Sequence, residues 1–199
     1  MAALALIVHY VLVLRGSRKA GLEPARSGRV FLTATILGLG AAAAGGTGFS
    51  LVVSGLIATA FAGYMAWREG SWKLLDVLAM PIPLSLGLAR LGCFLAHDHI
   101  GRPTTSWLGV QFPTGPAFDL GLLQAIGAFV VAGLLWPVGR GAGVPDGFRF
   151  ALVIGGIAVS RLLVLPFGFA SRTDWLVSGL IFASAVALSA KRSLHDPEH

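Results

Sequence analysis

Charged side chains are scarce in this chain of 199 residues. Only 12% of its residues are Asp, Glu, Lys or Arg, and nine residues are acidic, whereas soluble domains average about 25% charged residues. Hydrophobic residues make up 55% of the chain, and its mean hydropathy is +0.79. This composition excludes an ordinary soluble domain. An uncharged run at 30–67 is long enough for two membrane crossings joined by a turn at 45–48.

Cysteine is almost absent as well, since Cys93 is the only one. A single cysteine excludes an internal disulfide and does not indicate the redox compartment. No positively charged segment precedes the apolar start, and no cleavage-like site follows it, so the first segment is predicted to be retained rather than removed as a signal peptide. No internal repeat is evident. We therefore expect a single transmembrane domain over residues 1–199.

The positive residues indicate how the chain crosses the membrane. Hydropathy and helix-breaking residues predict seven spans, at 2–14, 30–45, 48–67, 74–95, 119–136, 148–167 and 175–190. Most Lys and Arg residues lie in alternate connections, at Arg15, Arg18, Lys19, Arg26, Arg29, Arg68, Lys73, Arg140, Arg149, Lys191 and Arg192. Cytoplasmic loops collect such residues, so the amino end is predicted outside, the carboxyl end in the cytoplasm and the 97–118 connection at the outer face.

The expected fold is therefore an all-α polytopic membrane protein with about seven transmembrane helices and a folded loop near the outer face. The formal net charge of +6 follows from this topology. Nucleic-acid binding is excluded as a function, because the positive charge is spread over several loops instead of forming one stripe.

Two arginines remain after those assigned to the connections are subtracted: Arg90 near the end of the fourth span and Arg161 in the middle of the sixth. An arginine at the centre of a membrane helix costs roughly 2.5–3.5 kcal/mol on insertion scales, so each needs compensation. One reading is snorkelling, or pairing with Asp76 or Asp119. The other is that both face a cavity and bind the phosphate of a lipid, because the planar guanidinium matches phosphate oxygens bidentately.

The segment AHDHIGRPTTSWLGVQFP follows Arg90 directly, and its glycines and prolines predict an irregular, folded loop. His97 and His99 with Asp98 could suggest metal ligation, but a zinc site needs three or four ligands, so no metal is expected. A histidine near the outer surface is suited to general-base catalysis near pH 7. Otherwise both histidines are loop-packing residues.

Cys93 lies three residues beyond Arg90, on nearly the same helix face. A thiol near a cation can act as a nucleophile, but a cysteine in a membrane helix is more often a small apolar filler. Both readings stay open on these residues alone.

The stretch ARLGCFLAHDHIGRPTTSWLGVQFP, residues 89–113, resembles the central signature of the bacterial prolipoprotein diacylglyceryl transferases in residue order and spacing. RKAGLEPAR in the first cytoplasmic loop, SGLIATAFAGYMAWREG in the third span and GGIAVSRLLVLPF in the sixth support the resemblance. Together these segments extend over nearly the whole chain.

The resemblance implies a transferase of the bacterial inner membrane, without a cofactor, that moves diacylglycerol from phosphatidylglycerol to the thiol of a cysteine in a lipoprotein precursor's signal peptide. Arg90 and Arg161 would hold the lipid phosphate and stabilise the departing glycerol phosphate. The substrate's thiol would be the nucleophile, which makes Cys93 unnecessary in that role. The residues that the resemblance assigns to the same site are Gly92, Asp98, Gly101 and Arg102.

The sequence also differs from the family pattern. Val53-Ser54-Gly55 stands where the family has His-Gly-Gly, Cys93 replaces an asparagine, and the acidic residue that follows the later arginine is missing after Arg161. His97 or His99 is therefore expected to replace the missing histidine as base. The alternative is an altered or silent family member that binds anionic phospholipid, either with another acceptor or as a scaffold. A small-solute transporter is a weaker reading, based on Pro81 and Pro83.

Overall fold

The computed structural model describes residues 1–44, 51–138, 144–169 and 172–195. Eight helices are found there: α1 (Ala2–Lys19), α2 (Pro24–Ala44), α3 (Leu51–Arg68), α4 (Lys73–Ala79), α5 (Ile82–Ala96), α6 (Leu120–Leu135), α7 (Phe148–Val164) and α8 (Arg172–His195). A short 3-10 turn at Leu165–Phe167 extends α7. The turn predicted at 45–48 and the loop residue Arg140 lie outside the described residues.

Where the chain is described, each predicted span contains helix, but the fourth is interrupted. Its two parts, α4 and α5, meet at Met80 and Pro81. Pro81 has no N–H to donate to the preceding turn, and its ring clashes with the carbonyl four residues earlier, whereas Pro83 is tolerated in the first turn of α5. The interruption therefore begins a second helix within one apolar stretch.

The expectation of an all-α chain needs one correction, because the loop after α5 contains a small sheet. Its strands are β1 (Ile100–Pro103), β2 (Val110–Phe112) and β3 (Gly115–Asp119), in the antiparallel order β1-β3-β2. The prolines and glycines exclude a helix, as predicted, yet the backbone groups still need partners. Pairing of Val110 with Ala117 and of Phe112 with Gly115 provides them.

The buried core lies between α1, α2, α3 and α4. Val13, Phe31, Ala66 and Leu75 belong to one cluster of buried apolar residues. His9 of α1 is buried beside them, with Nδ1 2.9 Å from Ser85 Oγ and Nε2 3.0 Å from the Leu78 carbonyl oxygen. Both ring nitrogens thus have partners, and His9 connects α1 to both halves of the interrupted helix.

The two ends of the helix bundle carry different features. The sheet lies at one end, where α5 finishes and α6 begins. We call the opposite end, where α2, α4 and α7 begin, the far end, and polar contacts connect the helices there. Arg26 pairs with Glu69 at 2.9 Å. Asp76 accepts hydrogen bonds from the N–H groups of Gly147 and Phe150 at 2.8 Å each. The far end therefore brings together the connections that are richest in Lys and Arg.

Two helical stretches among the described residues are long and apolar enough to cross a membrane, Lys73–Ala96 and Phe148–Phe167. Leu120–Leu135 and Trp175–Ala187 are shorter apolar helices. Large apolar side chains point outward from several helices, including Ile36, Leu134 and Leu163, each at least two-thirds exposed. An apolar outer surface of this extent is suited to contact with lipid.

Candidate functional site

The site begins where α5 ends. His97, the residue that terminates α5, has the left-handed conformation φ 51° and ψ 37°, and it is the only non-glycine residue with positive φ in the described ranges. Its N–H donates to the Phe94 carbonyl at 3.1 Å. Because a left-handed residue reverses the direction of the chain, Asp98 and His99 fold back over the last turns of α5 towards Arg90.

Arg90, His99 and Asp98 form one connected group. Arg90 Nη1 lies 3.4 Å from His99 Nε2, and His99 Nδ1 contacts Asp98 Oδ1. An arginine can only donate, so Nε2 accepts and the proton of the neutral ring is on Nδ1, which donates to Asp98. This hydrogen bond lowers the pKa of Asp98. The arrangement is that of a histidine base oriented by a carboxylate, with a cation beside it.

His97 contacts a different carboxylate. Its Nδ1 lies 3.5 Å from Asp119 Oδ2, and its ring packs edge-on against Phe94 and Phe112. Asp119 is buried, and its Oδ1 accepts a hydrogen bond from the Leu122 N–H at 2.9 Å, which caps the start of α6. His97 therefore lies between the end of α5 and the start of α6, although Asp119 Oδ2 accepts no hydrogen bond from the described residues.

Gly101 and Gly92 are close-packed positions. A Cβ at Gly101 would lie 2.5 Å from the Phe167 carbonyl oxygen and 2.9 Å from that of Phe118, so only glycine fits. A Cβ at Gly92 would lie 2.8 Å from the Met1 side chain. Gly101 thus allows a close approach of backbone to backbone, and Gly92 allows the Met1 side chain to pack against α5. Arg102 on β1 is exposed.

Arg161 belongs to α7 and contacts α8, so its partner lies on a different helix from the partners of Arg90. Its Nε donates a hydrogen bond to Ser178 Oγ of α8 at 3.1 Å, and Ser178 is fully buried. The two carboxylates considered as partners for these arginines cap helices, since Asp76 accepts from the first residues of α7 and Asp119 from the first turn of α6. Arg161 is thus held by α8, while Arg90 is held by the loop.

Among the residues that the structure describes, Cys93, Asp98 and His99 could hold a metal by their chemistry, because their potential ligand atoms all lie within 4.8 Å of one another. Sequence reasoning left Cys93 outside the group, but the fold-back of the loop places its thiol beside the histidine and the carboxylate. The Arg90 guanidinium, 3.4 Å from His99, opposes a cation at this position by electrostatic repulsion. The same guanidinium favours an anion there.

Asp119 is the residue of this site that sequence reasoning underestimated. It was considered only as a counter-charge for an arginine. Its position immediately before the apolar run LGLLQAIGAFVVAGLL is typical of a helix N-cap, where a carboxylate accepts from the free N–H groups of the first turn. That signal would have placed it at the start of α6.

Comparison with known proteins adds an independent observation. Residues 20–190 match the family model described as prolipoprotein diacylglyceryl transferase. The chain is 30% identical over 133 residues to a phosphatidylglycerol-prolipoprotein diacylglyceryl transferase of Mesorhizobium japonicum, covering 60% of this chain and 46% of the relative. The same name belongs to a protein of Rhizobium leguminosarum bv. trifolii, 30% identical over 132 residues, with 59% of this chain and 46% of the relative covered.

A third relative with this name, from Sinorhizobium medicae, is 29% identical over 150 residues, covering 67% of this chain and 53% of the relative. The chain spans about half the length of the curated relatives that it matches. The family match, in contrast, includes most of the chain, from the loop after α1 into α8, and contains the whole Arg90 group. The chain belongs to the prolipoprotein diacylglyceryl transferase family.

Proposed function

We propose that this protein transfers diacylglycerol from phosphatidylglycerol to the cysteine thiol of a lipoprotein precursor. Family membership supports the class of reaction, and the names of the relatives supply both substrates. The single observation that carries the proposal for this chain is the connected group of Arg90, His99 and Asp98, because it combines an anion-binding cation with an oriented base.

The proposed setting is a multi-pass arrangement in the bacterial inner membrane. If α4 and α5 are counted as one crossing, the eight helices make seven spans, with the amino end outside and the carboxyl end in the cytoplasm. The Lys and Arg residues of alternate connections support this orientation, and the outward-facing apolar side chains support a lipid environment. The sheet and the Arg90 group would then lie at the outer face.

Arg90 and Arg161 are proposed to hold the phosphate of the lipid donor from two sides. Arg90 approaches from α5 and Arg161 from α7, so a headgroup between them would be bound by two guanidinium groups on separate helices. Gly92, Gly101 and Arg102 are proposed to shape the same binding site. The two guanidinium groups would stabilise the negative charge that develops on the phosphate as it leaves.

His99 is proposed to be the general base, oriented by Asp98. Its Nε2 would take the proton of the acceptor thiol, the sulfur would form a bond to the terminal glycerol carbon of diacylglycerol, and the carbon–oxygen bond to the phosphate would break. Glycerol phosphate would leave with the electron pair of that bond. His97, which also faces a carboxylate, is the less suitable base because it contacts Asp119 and two aromatic rings instead of Arg90.

Replacing His99 with Ala is expected to reduce turnover by about 10²–10⁴-fold, the usual contribution of a general base. The carboxylate of Asp98, whose pKa is lowered by its hydrogen bond to His99, stays ionised well into acidic pH and continues to orient the ring. Initial rates with phosphatidylglycerol and a cysteine peptide test the prediction.

His97→Ala is the matched comparison, since it removes a neighbouring histidine and its Asp119 contact. Its turnover should exceed that of His99→Ala. If His99→Ala kept the rate of the unmodified protein, His99 would not be the base.

Replacing Cys93 with Ala is expected to leave turnover nearly unchanged, although its thiol lies close to His99 and Asp98. The proposed nucleophile belongs to the acceptor, and alanine preserves a small apolar side chain on α5. The measurement is the same rate assay. A complete loss of turnover in a variant of normal thermal stability would instead assign the nucleophile to Cys93.

The deciding experiment incubates the purified protein with phosphatidylglycerol and a peptide that contains the lipoprotein-precursor cysteine. Mass spectrometry should detect a diacylglyceryl thioether on the peptide and an equal amount of glycerol phosphate. Lipid binding without either product would contradict transfer and support the silent, lipid-binding alternative. Glycerol phosphate release without a modified peptide would indicate another acceptor.

A further inference from the structure

A second cationic site lies at the far end of the bundle, away from the Arg90 group. There an open cavity of about 370 Å³ is lined by residues of α2 and of the end of α3. Arg26 and Arg29 of α2 and Arg68 of α3 contribute to its lining, and the apolar side chains of Phe61 and Met65 form part of its wall. The cavity thus combines a cationic rim with an apolar interior.

The charges of this cavity are unbalanced. Glu69 is its only acidic lining residue, and one of its oxygens, Oε1, accepts from both Arg26 Nε at 3.0 Å and Arg26 Nη2 at 2.9 Å. Arg29 and Arg68 have no ion pair within the part of the chain that the structure describes. Three guanidinium groups against one carboxylate leave two positive charges for a ligand to neutralise.

The surroundings of the cavity distinguish a lipid from a soluble anion. Above the arginines, Leu32 and Ile36 of α2 and Tyr64 of α3 are exposed on the outer surface, so the helices that carry the charges continue as apolar surface. A soluble phosphate would use the cationic rim alone. A phospholipid would use the rim for its headgroup and the apolar surface for its acyl chains.

We propose that the cavity lined by Arg26, Arg29 and Arg68 binds the phosphate headgroup of an anionic phospholipid. Guanidinium groups bind phosphate oxygens bidentately and are weakly hydrated, and basic pockets between membrane helices are suited to lipid headgroups. This lipid lies at the opposite end of the helices from the Arg90 group. The lipid in this cavity is therefore not the one that donates diacylglycerol, and the inference does not depend on transferase activity.

The test compares lipid retention by the full-length protein and by the double variant Arg29→Gln/Arg68→Gln, both in an Arg90→Ala background that weakens the other proposed lipid site. Native mass spectrometry after titration with phosphatidylglycerol should show one bound lipid fewer in the double variant. The affinity for that lipid should fall about tenfold or more, which corresponds to a loss of about 1.4 kcal/mol or more in binding free energy. Retention of phosphatidylcholine, a zwitterionic lipid, should not change. Arg29→Lys/Arg68→Lys, which keeps the charges without the planar fork, should retain an intermediate amount.

Arg15→Gln/Arg18→Gln is the matched control, because it removes two exposed arginines from the end of α1 and lies outside the cavity. It should retain lipid like its parent. Equal loss in this control would mean that net charge alone attracts the lipid, and full retention by Arg29→Gln/Arg68→Gln would overturn the site. Glycerol phosphate at matched concentration should not compete with the lipid. Competition by it would indicate a site for soluble anions.

Discussion

Arg90→Ala is expected to lower lipid turnover by about 10²–10³-fold, the usual effect of removing one group that stabilises developing charge. In the proposed reaction, the departing glycerol phosphate becomes more negative as its bond to carbon breaks, and Arg90 would neutralise part of that charge. The same replacement removes the donor at 3.4 Å from His99 Nε2. Turnover of phosphatidylglycerol with a cysteine peptide, quantified by mass spectrometry, measures the loss.

Arg90→Lys separates charge from geometry. A lysine keeps the positive charge but not the planar fork, so its turnover should lie between that of the unmodified protein and that of Arg90→Ala. Arg161→Ala should cause a loss similar to that of Arg90→Ala if the two arginines bind one phosphate. Arg15→Ala, which removes an exposed arginine at the far end, is the control. Full activity in both Arg90→Ala and Arg161→Ala would eliminate the two-arginine clamp.

Asp76→Ala is expected to produce the largest loss of stability. The buried carboxylate accepts the N–H groups of both Gly147 and Phe150 at 2.8 Å, so alanine would leave two donors at the start of α7 without this acceptor. Loss of hydrogen bonds to a charged group in a buried position costs about 3 kcal/mol. The midpoint of thermal unfolding in detergent should fall by roughly 6–12 °C, by the scaling for proteins of this size.

Asp76→Asn retains one oxygen acceptor and should lose about half as much stability. Asp146→Ala removes a carboxylate adjacent to Gly147 and serves as the control; its unfolding midpoint should change little. An unchanged midpoint in Asp76→Ala would show that water or another group satisfies the first turn of α7. In that case the contacts of Asp76 with Gly147 and Phe150 would not be what holds α4 to α7.

The helices were largely predictable from sequence because most coincide with apolar runs limited by charged or helix-breaking residues, a local property. The sheet was not, because it depends on the pairing of β1 and β2 with β3. The segment reads as loop because of Pro103, Pro113 and Pro116. Only the proximity of its two ends, at the close of α5 and the start of α6, allows the strands to pair.

The site was predictable in part. Arg90, Gly101 and Arg102 were identified as candidate site residues, but His97 and His99 could not be distinguished by spacing. The left-handed conformation of His97 distinguishes the two histidines, because it directs the His97 ring towards Asp119 and the His99 ring towards Arg90. The role of Asp76 was likewise hidden, since its two partners lie 71 and 74 residues further along the chain.

The contact between Arg90 Nη1 and His99 Nε2 has a kinetic consequence under the proposed function. While the guanidinium donates to this nitrogen, its lone pair is occupied and cannot accept a thiol proton. A phosphate that draws the guanidinium to itself would free the nitrogen, so the base would become available only in the lipid-bound protein. The lipid-free protein would then leave acceptor thiols protonated even with the precursor bound, so each thiolate would form only beside a lipid that can react with it.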